Sequence, residues 1–312
     1  LSNHIGFLVT GNGTAFGFSQ NGIGNNVNGT VIGDDNQIGV DQDGTANRAG
    51  IQIGSGNRND VYITQTSGAL SFGNDASVTL AGDRNAVGIA QDGNNNAATA
   101  GITGNANLVT VTQASLLLGN DATIDITGNR NAVSSSQTTG ALGRNVLKAD
   151  IAGNWNELKA NQSISGGGTN LATIAFNGSG NYLDVVQSKS GLGGSGNTLN
   201  VSIYGNRNND PLLGGFHSPS LSTALGAAAG VSSFGPGTIY QSGKGNTITL
   251  DVGTATADSN RNLFAFAQSG NSNGIVGSVN GIGNQAVVVQ TGDGNFTSFS
   301  QIGNFNVVGV SQ

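Results

Sequence analysis

The chain has 312 residues, a net charge of −6, 9% charged residues, 53 Gly and no Cys or Met. Absence of Cys excludes disulfide stapling. The eleven basic residues, scattered along the sequence, do not make the basic stripe that a nucleic-acid surface needs, and no apolar run approaches the length of a membrane helix.

Taken from the first residue, the chain is one repeat. Each unit has two seven-residue halves, a first half (B) and a second half (A). The B halves start at Asn3, Asn25, Asn47, Asn74, Asn96, Asn120, Asn145, Asn170, Asn197, Asn246, Asn273 and Asn295, twelve in all. Their seventh residue is apolar, from Val9 through Ile126 to Val279, except in the last copy, where it is Gln301. The twelve A halves end on Gln20, Gln42, Gln65, Gln91, Gln113, Gln137, Gln162, Gln187, Gln241, Gln268, Gln290 and Gln312. In ten of them the residue six earlier is Asn: Asn36, Asn59, Asn85, Asn107, Asn131, Asn156, Asn181, Asn262, Asn284 and Asn306. Thr14 and Gly235 hold that place in the other two. Between start and end the apolar residues alternate, as in Ile38/Val40, Val109/Val111 and Leu183/Val185, which is the period of a strand. Low charge with abundant Gly and Asn also describes disordered chains, but a disordered chain has no reason to keep this alternation.

The charges supply an independent check on which face is inside. Asp41, Arg48, Asp60, Asp75, Asp121, Asp125, Lys148, Asp150, Glu157, Lys159, Asp184 and Asp251 all fall at odd offsets of their runs, and none falls at an even one. Successive strand side chains point to opposite faces. The even set of Asn, apolar and Gln residues is therefore assigned inward and the odd set to water. Gly- and Asn-rich arcs such as Gly82-Asp83-Arg84-Asn85 and Gly128-Asn129-Arg130-Asn131 join the halves, because these types tolerate the positive φ of a tight turn.

The expected fold is all-β: a β-solenoid of about twelve two-strand coils with cross-β stacking and no helices. The unit measures 22 residues where no arc is lengthened, and a repeat of that period makes one elongated domain. At about 4.8 Å per coil, twelve coils give a rod of roughly 58 Å. The expected division is coils over 1–203, an inserted loop over 204–234 carrying Pro211, His217 and Pro219, and coils again over 235–312. In such a stack Gln ladders over Gln and Asn over Asn. Burial of these amides is tolerable only because each bonds its copies above and below; unpaired, each costs about 1–3 kcal/mol.

With inward Asn and Gln placed, the repeat resembles that of the curlin family, the secreted subunits of curli fibres, whose unit contains Gln-x-Gly-x-Gly-Asn-x-Ala. Gln20-Asn-Gly22-Ile-Gly24-Asn25, Gln241-Ser-Gly243-Lys-Gly245-Asn246 and Gln290-Thr-Gly292-Asp-Gly294-Asn295 match its central piece, and the following Ala recurs as Ala49, Ala76, Ala98, Ala122 and Ala172. Three departures are visible: Asn replaces the opening Ser, the second Gln is aliphatic in most coils, and repeats begin at Asn3 without a separate targeting segment. The resemblance implies a functional amyloid of the biofilm matrix or cell surface, export through an outer-membrane pore, and a possible nucleator subunit as partner.

Polymerisation is also expected from the sequence itself. Monomeric solenoids need capping units, and edge strands are usually blunted by Lys, Pro or bulges. Here the first coil carries only His4 as a titratable side chain, and Asn273–Gln290 and Asn295–Gln312 hold no charge within their two strand runs. The joint residues are expected to be Asn3, Ile5, Phe7 and Val9 at one end and Val308, Val310 and Gln312 at the other, giving a head-to-tail homopolymer. The alternative is a monomeric or surface-anchored solenoid adhesin. No catalysis, cofactor or metal is expected: the two His are far apart, and the densest carboxylate group, Asp34, Asp35, Asp41 and Asp43, reads as solvated turn residues. Gly-x-Gly fragments carry no nucleotide signal in so Gly-rich a chain without a following helix.

Overall fold

Alternation makes the strands and the Gly-rich arcs return the chain, so each unit closes one coil. The computed structural model describes residues 2–68, 72–210 and 235–312, and among these residues there is no helix. The odd-numbered strands form one twelve-stranded parallel sheet, from β1 (His4–Thr10) to β23 (Phe296–Ile302). The even-numbered strands form a second, from β2 (Ala15–Ile23) to β24 (Val307–Ser311). Every strand hydrogen-bonds the strand two places on in sequence, never its immediate successor. Consecutive strands instead face one another across the core. This is the expected solenoid of twelve coils.

Stacking is in register. In β10 (Leu108–Ser115), β12 (Ala132–Thr139) and β14 (Glu157–Ile164), Val109 lies over Val133 and Leu158, and Gln113 over Gln137 and Gln162. The even offsets are buried throughout the interior coils, as in Ile63, Ile89, Ile124, Leu147 and Val185, each at most 2% exposed. Burying such a side chain contributes roughly 1.5–3 kcal/mol, and a slip of one residue would turn the whole set to solvent. None of the twelve charged residues at odd offsets is buried.

Strand length differs from the seven residues read in sequence. β10, β12, β14 and β16 (Tyr182–Lys189) run two residues beyond the Gln, into stretches expected to be arcs. The added inward position is filled in turn by Ser115, Thr139, Ile164 and Lys189, which stack on one another. Lys189 is only 1% exposed, the one buried charge among the described residues. Its Nζ donates to the carbonyls of Gly167 and Gly191, and burial lowers its pKa from the usual lysine value.

The inserted segment enters at a different point from the expected one. β17 (Thr198–Tyr204) is followed by a corner, Gly205-Asn206-Arg207-Asn208, that repeats Gly128-Asn129-Arg130-Asn131 and stays in the stack. Asn208 occupies the ladder place assigned above to Gly235, donating to Asn181 Oδ1 and accepting from the amide of Asn262. Asn209 then pairs as a strand residue, its N–H donating to Asn262 O and its Oδ1 accepting from Phe264 N–H. The coil resumes at Gly237, which donates to Phe264 O and accepts from Asp184 N–H, ahead of β18 (Thr238–Ser242). The excursion thus leaves a strand after its second residue and returns to the same strand. Of the expected loop 204–234, residues 211–234 lie outside the described residues.

Candidate functional site

The residues with a chemical pattern to explain are the stacked amides, and they form three kinds of ladder. The first is the Gln ladder inside the coil. Each Gln Nε2 donates to Oε1 of the Gln in the next coil, unbroken from Gln20 to Gln312, at 2.7 to 3.1 Å. The second proton goes to the backbone of the facing strand, as from Gln42 to Asn26 O and Gln137 to Asp121 O. Both protons and one lone pair of every interior Gln are therefore used.

The Asn residues line the two edges of the coil. At the edge entering the A half, the backbone N–H and Nδ2 of each Asn donate to Oδ1 of the Asn one coil earlier, as in Asn59 to Asn36, Asn156 to Asn131 and Asn306 to Asn284. Nδ2 also donates to an arc carbonyl, as from Asn131 to Gly153 O. The other edge repeats this from Asn3 through Asn25, Asn47 and Asn74 to Asn295. In the first coil Thr14 replaces the Asn and its hydroxyl donates to Gly33 O at 3.3 Å.

Outside the coil runs a third ladder that sequence spacing alone does not separate from the turns. Asn129 N–H donates to Asn154 Oδ1, Asn105 N–H to Asn129 Oδ1, and Asp34 and Asp83 serve as acceptors in the same column. Asp34 and Asp35 therefore sit in the arc and Asp41 and Asp43 on β4 (Gln37–Thr45), each arc carboxylate facing a partner: Asn12 N–H for Asp34, and Arg58 at 3.8 Å for Asp35. Among the described residues no three His, Cys, Asp or Glu side chains converge.

The three ladders have directions. Gln amides and the backbone N–H groups of the outer ladder donate toward the C-terminal coil, whereas the N–H and Nδ2 of each edge Asn donate to the Asn Oδ1 of the N-terminal coil. The two outermost coils consequently differ in what they present. On the β1–β2 side, Gln20 Oε1 accepts no bond from the described residues and Asn3 Nδ2 makes only a 3.4 Å contact with Gln20 O. On the β23–β24 side, Gln312 Nε2 reaches only Phe296 O at 3.4 Å, and Asn295 and Asn306 hold outward Oδ1 atoms. Of the apolar residues expected at the two ends, Ile5 is 47% exposed, Phe7, Val9 and Val310 pack partly against the core, and Val308 is half-buried. Gln301 lacks a Gln beneath it, since it lies over Val279, and its Oε1 is buried without a partner.

The corner next to each A-half Asn corrects the picture of scattered basic charge. Its tip residue takes φ near +60°, and the successive occupants are Asp35, Arg58, Arg84, Ala106, Arg130, Trp155, Gly180, Arg207, Arg261, Gly283 and Phe305. Their N–H groups bond from coil to coil, so these side chains form one column. An Arg directly before the ladder Asn, as in Arg58-Asn59 and Arg84-Asn85, is the sequence signal for it.

Residues 33–66 and 82–114 match the curlin associated repeat. The first stretch carries Gln42 and Gln65 and the second Gln91 and Gln113, four consecutive rungs of the Gln ladder. No curated protein matches the chain.

Proposed function

We propose, from the curlin associated repeat matched at residues 33–66 and 82–114, that this chain is a secreted structural subunit that stacks head to tail into an extracellular curli-like amyloid fibre. The observation that carries this reading is the complementarity of the two outer coils. Gln312 Nε2 is a donor aimed where Gln20 Oε1 of a second copy is an acceptor, and Asn295 Oδ1 is an acceptor for the N–H groups of Asn3. A translational stack whose two faces complement each other does not close on itself, so it grows as an open filament. Ile5, Phe7, Val9, Val308 and Val310 would supply the apolar part of the joint. In the cell, an outer-membrane export pore and a nucleator subunit are the partners that such a fibre calls for, with biofilm matrix or surface adhesion as its use.

The test is electron microscopy of freshly desalted protein followed over hours, with fibre diffraction of the product. Filaments that lengthen with time and diffract near about 4.7 and 10 Å are expected. Persistent single rods of roughly 58 Å would refute polymerisation and favour the surface adhesin.

A further inference from the structure

The arginine corner contains a slot. Trp155 is 62% exposed, and one face of its indole is covered by the Arg130 guanidinium, 4.7 Å from the ring centroid. The next tip residue is Gly180, which puts no side chain in the column, and the one after is Arg207. Two coil steps separate Trp155 from Arg207, about 9.6 Å, whereas a ring in contact on both faces needs roughly 7 Å. The missing side chain leaves room for one ring. The resulting cleft measures about 480 Å³ and is walled by Glu157, Tyr182 and Asp210 besides Trp155 and the two arginines. That is within the roughly 300–1,000 Å³ of small-molecule sites.

We propose that this cleft is a saccharide-binding slot, in which a sugar ring lies between the free face of Trp155 and Arg207. Aromatic faces take the C–H face of a pyranose, and an aromatic with one polar end suits a ligand that is apolar on its faces and polar at its rim. The rim chemistry agrees. Arg207 Nε and Asp210 are paired at 3.1 Å, and Lys159 and Glu157 at 2.9 Å, so donors and acceptors stand side by side, as vicinal hydroxyls require. Lys159 Nζ also lies 5.4 Å from the Tyr182 ring, which holds that wall in place. Glu157 and Asp210 set acceptors beside the donors of Lys159 and Arg207, a pairing that a hydroxyl-bearing ligand uses on both counts and a phosphodiester, which only accepts, does not. The slot depends on coils β12 to β17 and not on the ends of the stack, so it stands or falls separately from polymerisation.

Trp155 is the only Trp, so its fluorescence reports the slot directly. The unpolymerised 312-residue chain would be titrated with defined neutral and uronate-containing oligosaccharides. The expected result is a saturable change in emission together with protection from iodide quenching. Gly180→Arg restores the side chain that this corner carries at Arg130 and Arg207 with φ 57 and 60, and so should keep the fold by circular dichroism while weakening binding at least about tenfold. Tyr182→Ala should weaken it as well. No response from any saccharide, or an equal response in folded Gly180→Arg, would overturn the proposal. A response to oligonucleotides alone would assign the corner to nucleic acid and overturn it. Indole emission already shielded from iodide in the free chain would mean that another part of the protein fills the slot, and this too would overturn the proposal.

Discussion

Gln137 donates its side-chain amide to Gln162 at 2.8 Å, and Gln162 donates in turn to Gln187 at 2.7 Å. Gln162 also donates to Val146 O. Replacing Gln162 by Leu leaves Gln187 Oε1 and Val146 O without that donor in a dry interior. The expected loss is about 2–4 kcal/mol, read as a lowered urea midpoint of the soluble chain. An unchanged midpoint would mean that the ladder fills space and contributes no net bonding.

The two Asn residues of one corner should behave differently. Asn131 is buried, accepts from Asn156 N–H and Nδ2, and donates to Gly153 O. Asn129 makes similar bonds to Asn154, but in water. Asn131→Ala should cost about 2–3 kcal/mol and Asn129→Ala under about 1 kcal/mol. Equal costs in denaturant melts would refute the distinction between inner and outer ladders.

Ser135 is a polar residue in an apolar column. It lies between Val111 and Ala160, is 2% exposed, and its hydroxyl has no partner. Ser135→Ala is expected to stabilise the chain by about 1 kcal/mol, observable as a higher melting temperature. Destabilisation would show that the hydroxyl is bonded in solution.

Two lysines should titrate on opposite sides of the ordinary value of 10.5. Lys189 is lowered, chiefly by burial and then by the charge of Lys244, while Lys159 is raised, chiefly by its hydrogen bond to Glu157. For Lys189 the unfolded chain holds its proton more tightly, so stability rises as pH climbs from its folded pKa to 10.5. For Lys159 the contribution is complete below 10.5 and disappears as pH rises through its higher folded pKa. Nitrogen-detected titration should show Lys189 losing its proton before Lys159. The reverse order would contradict both assignments.

Fibre growth offers a more selective test than whole-protein stability. Val310 packs partly against the core on β24, the outermost strand of its sheet. Val310→Lys puts a charge on the proposed joint, a common way of blocking edge-to-edge addition. Elongation should slow at least about tenfold, while circular dichroism of the soluble chain stays the same. Undiminished elongation with the fold intact would exclude this face from the joint.

Much of the fold is legible in the sequence because a solenoid repeats a local rule. Period-two alternation and the odd placement of charges such as Asp125 and Lys148 fix which side chains face inward, and stacking does the rest. What escapes is whatever the local rule does not contain. Asn208 escapes a search for seven contiguous residues, because here the chain departs after Asn209; the repeated Gly-Asn-Arg-Asn at 205–208 is the available signal. Lys189 reads as an arc residue, since nothing nearby in sequence reveals that Ile164 of the previous coil extends the sheet beneath it. The cleft beside Trp155 arises from side chains on successive coils, and single-coil patterns do not register it.

The departure of the chain at Asn209 and its return at Gly237 show how the stack tolerates novelty. Residues on both sides of the gap are held by the coils above and below: Asn209 by Asn262 and Phe264, and Gly237 by Phe264 and Asp184. Covalent continuity contributes little to the alignment of this rung. A foreign peptide or small domain spliced in between should hang from the side of the rod while the rungs beneath it keep their places. The same architecture that repeats itself so strictly thus has a ready-made attachment point for cargo, carried once per subunit along any assembly that forms.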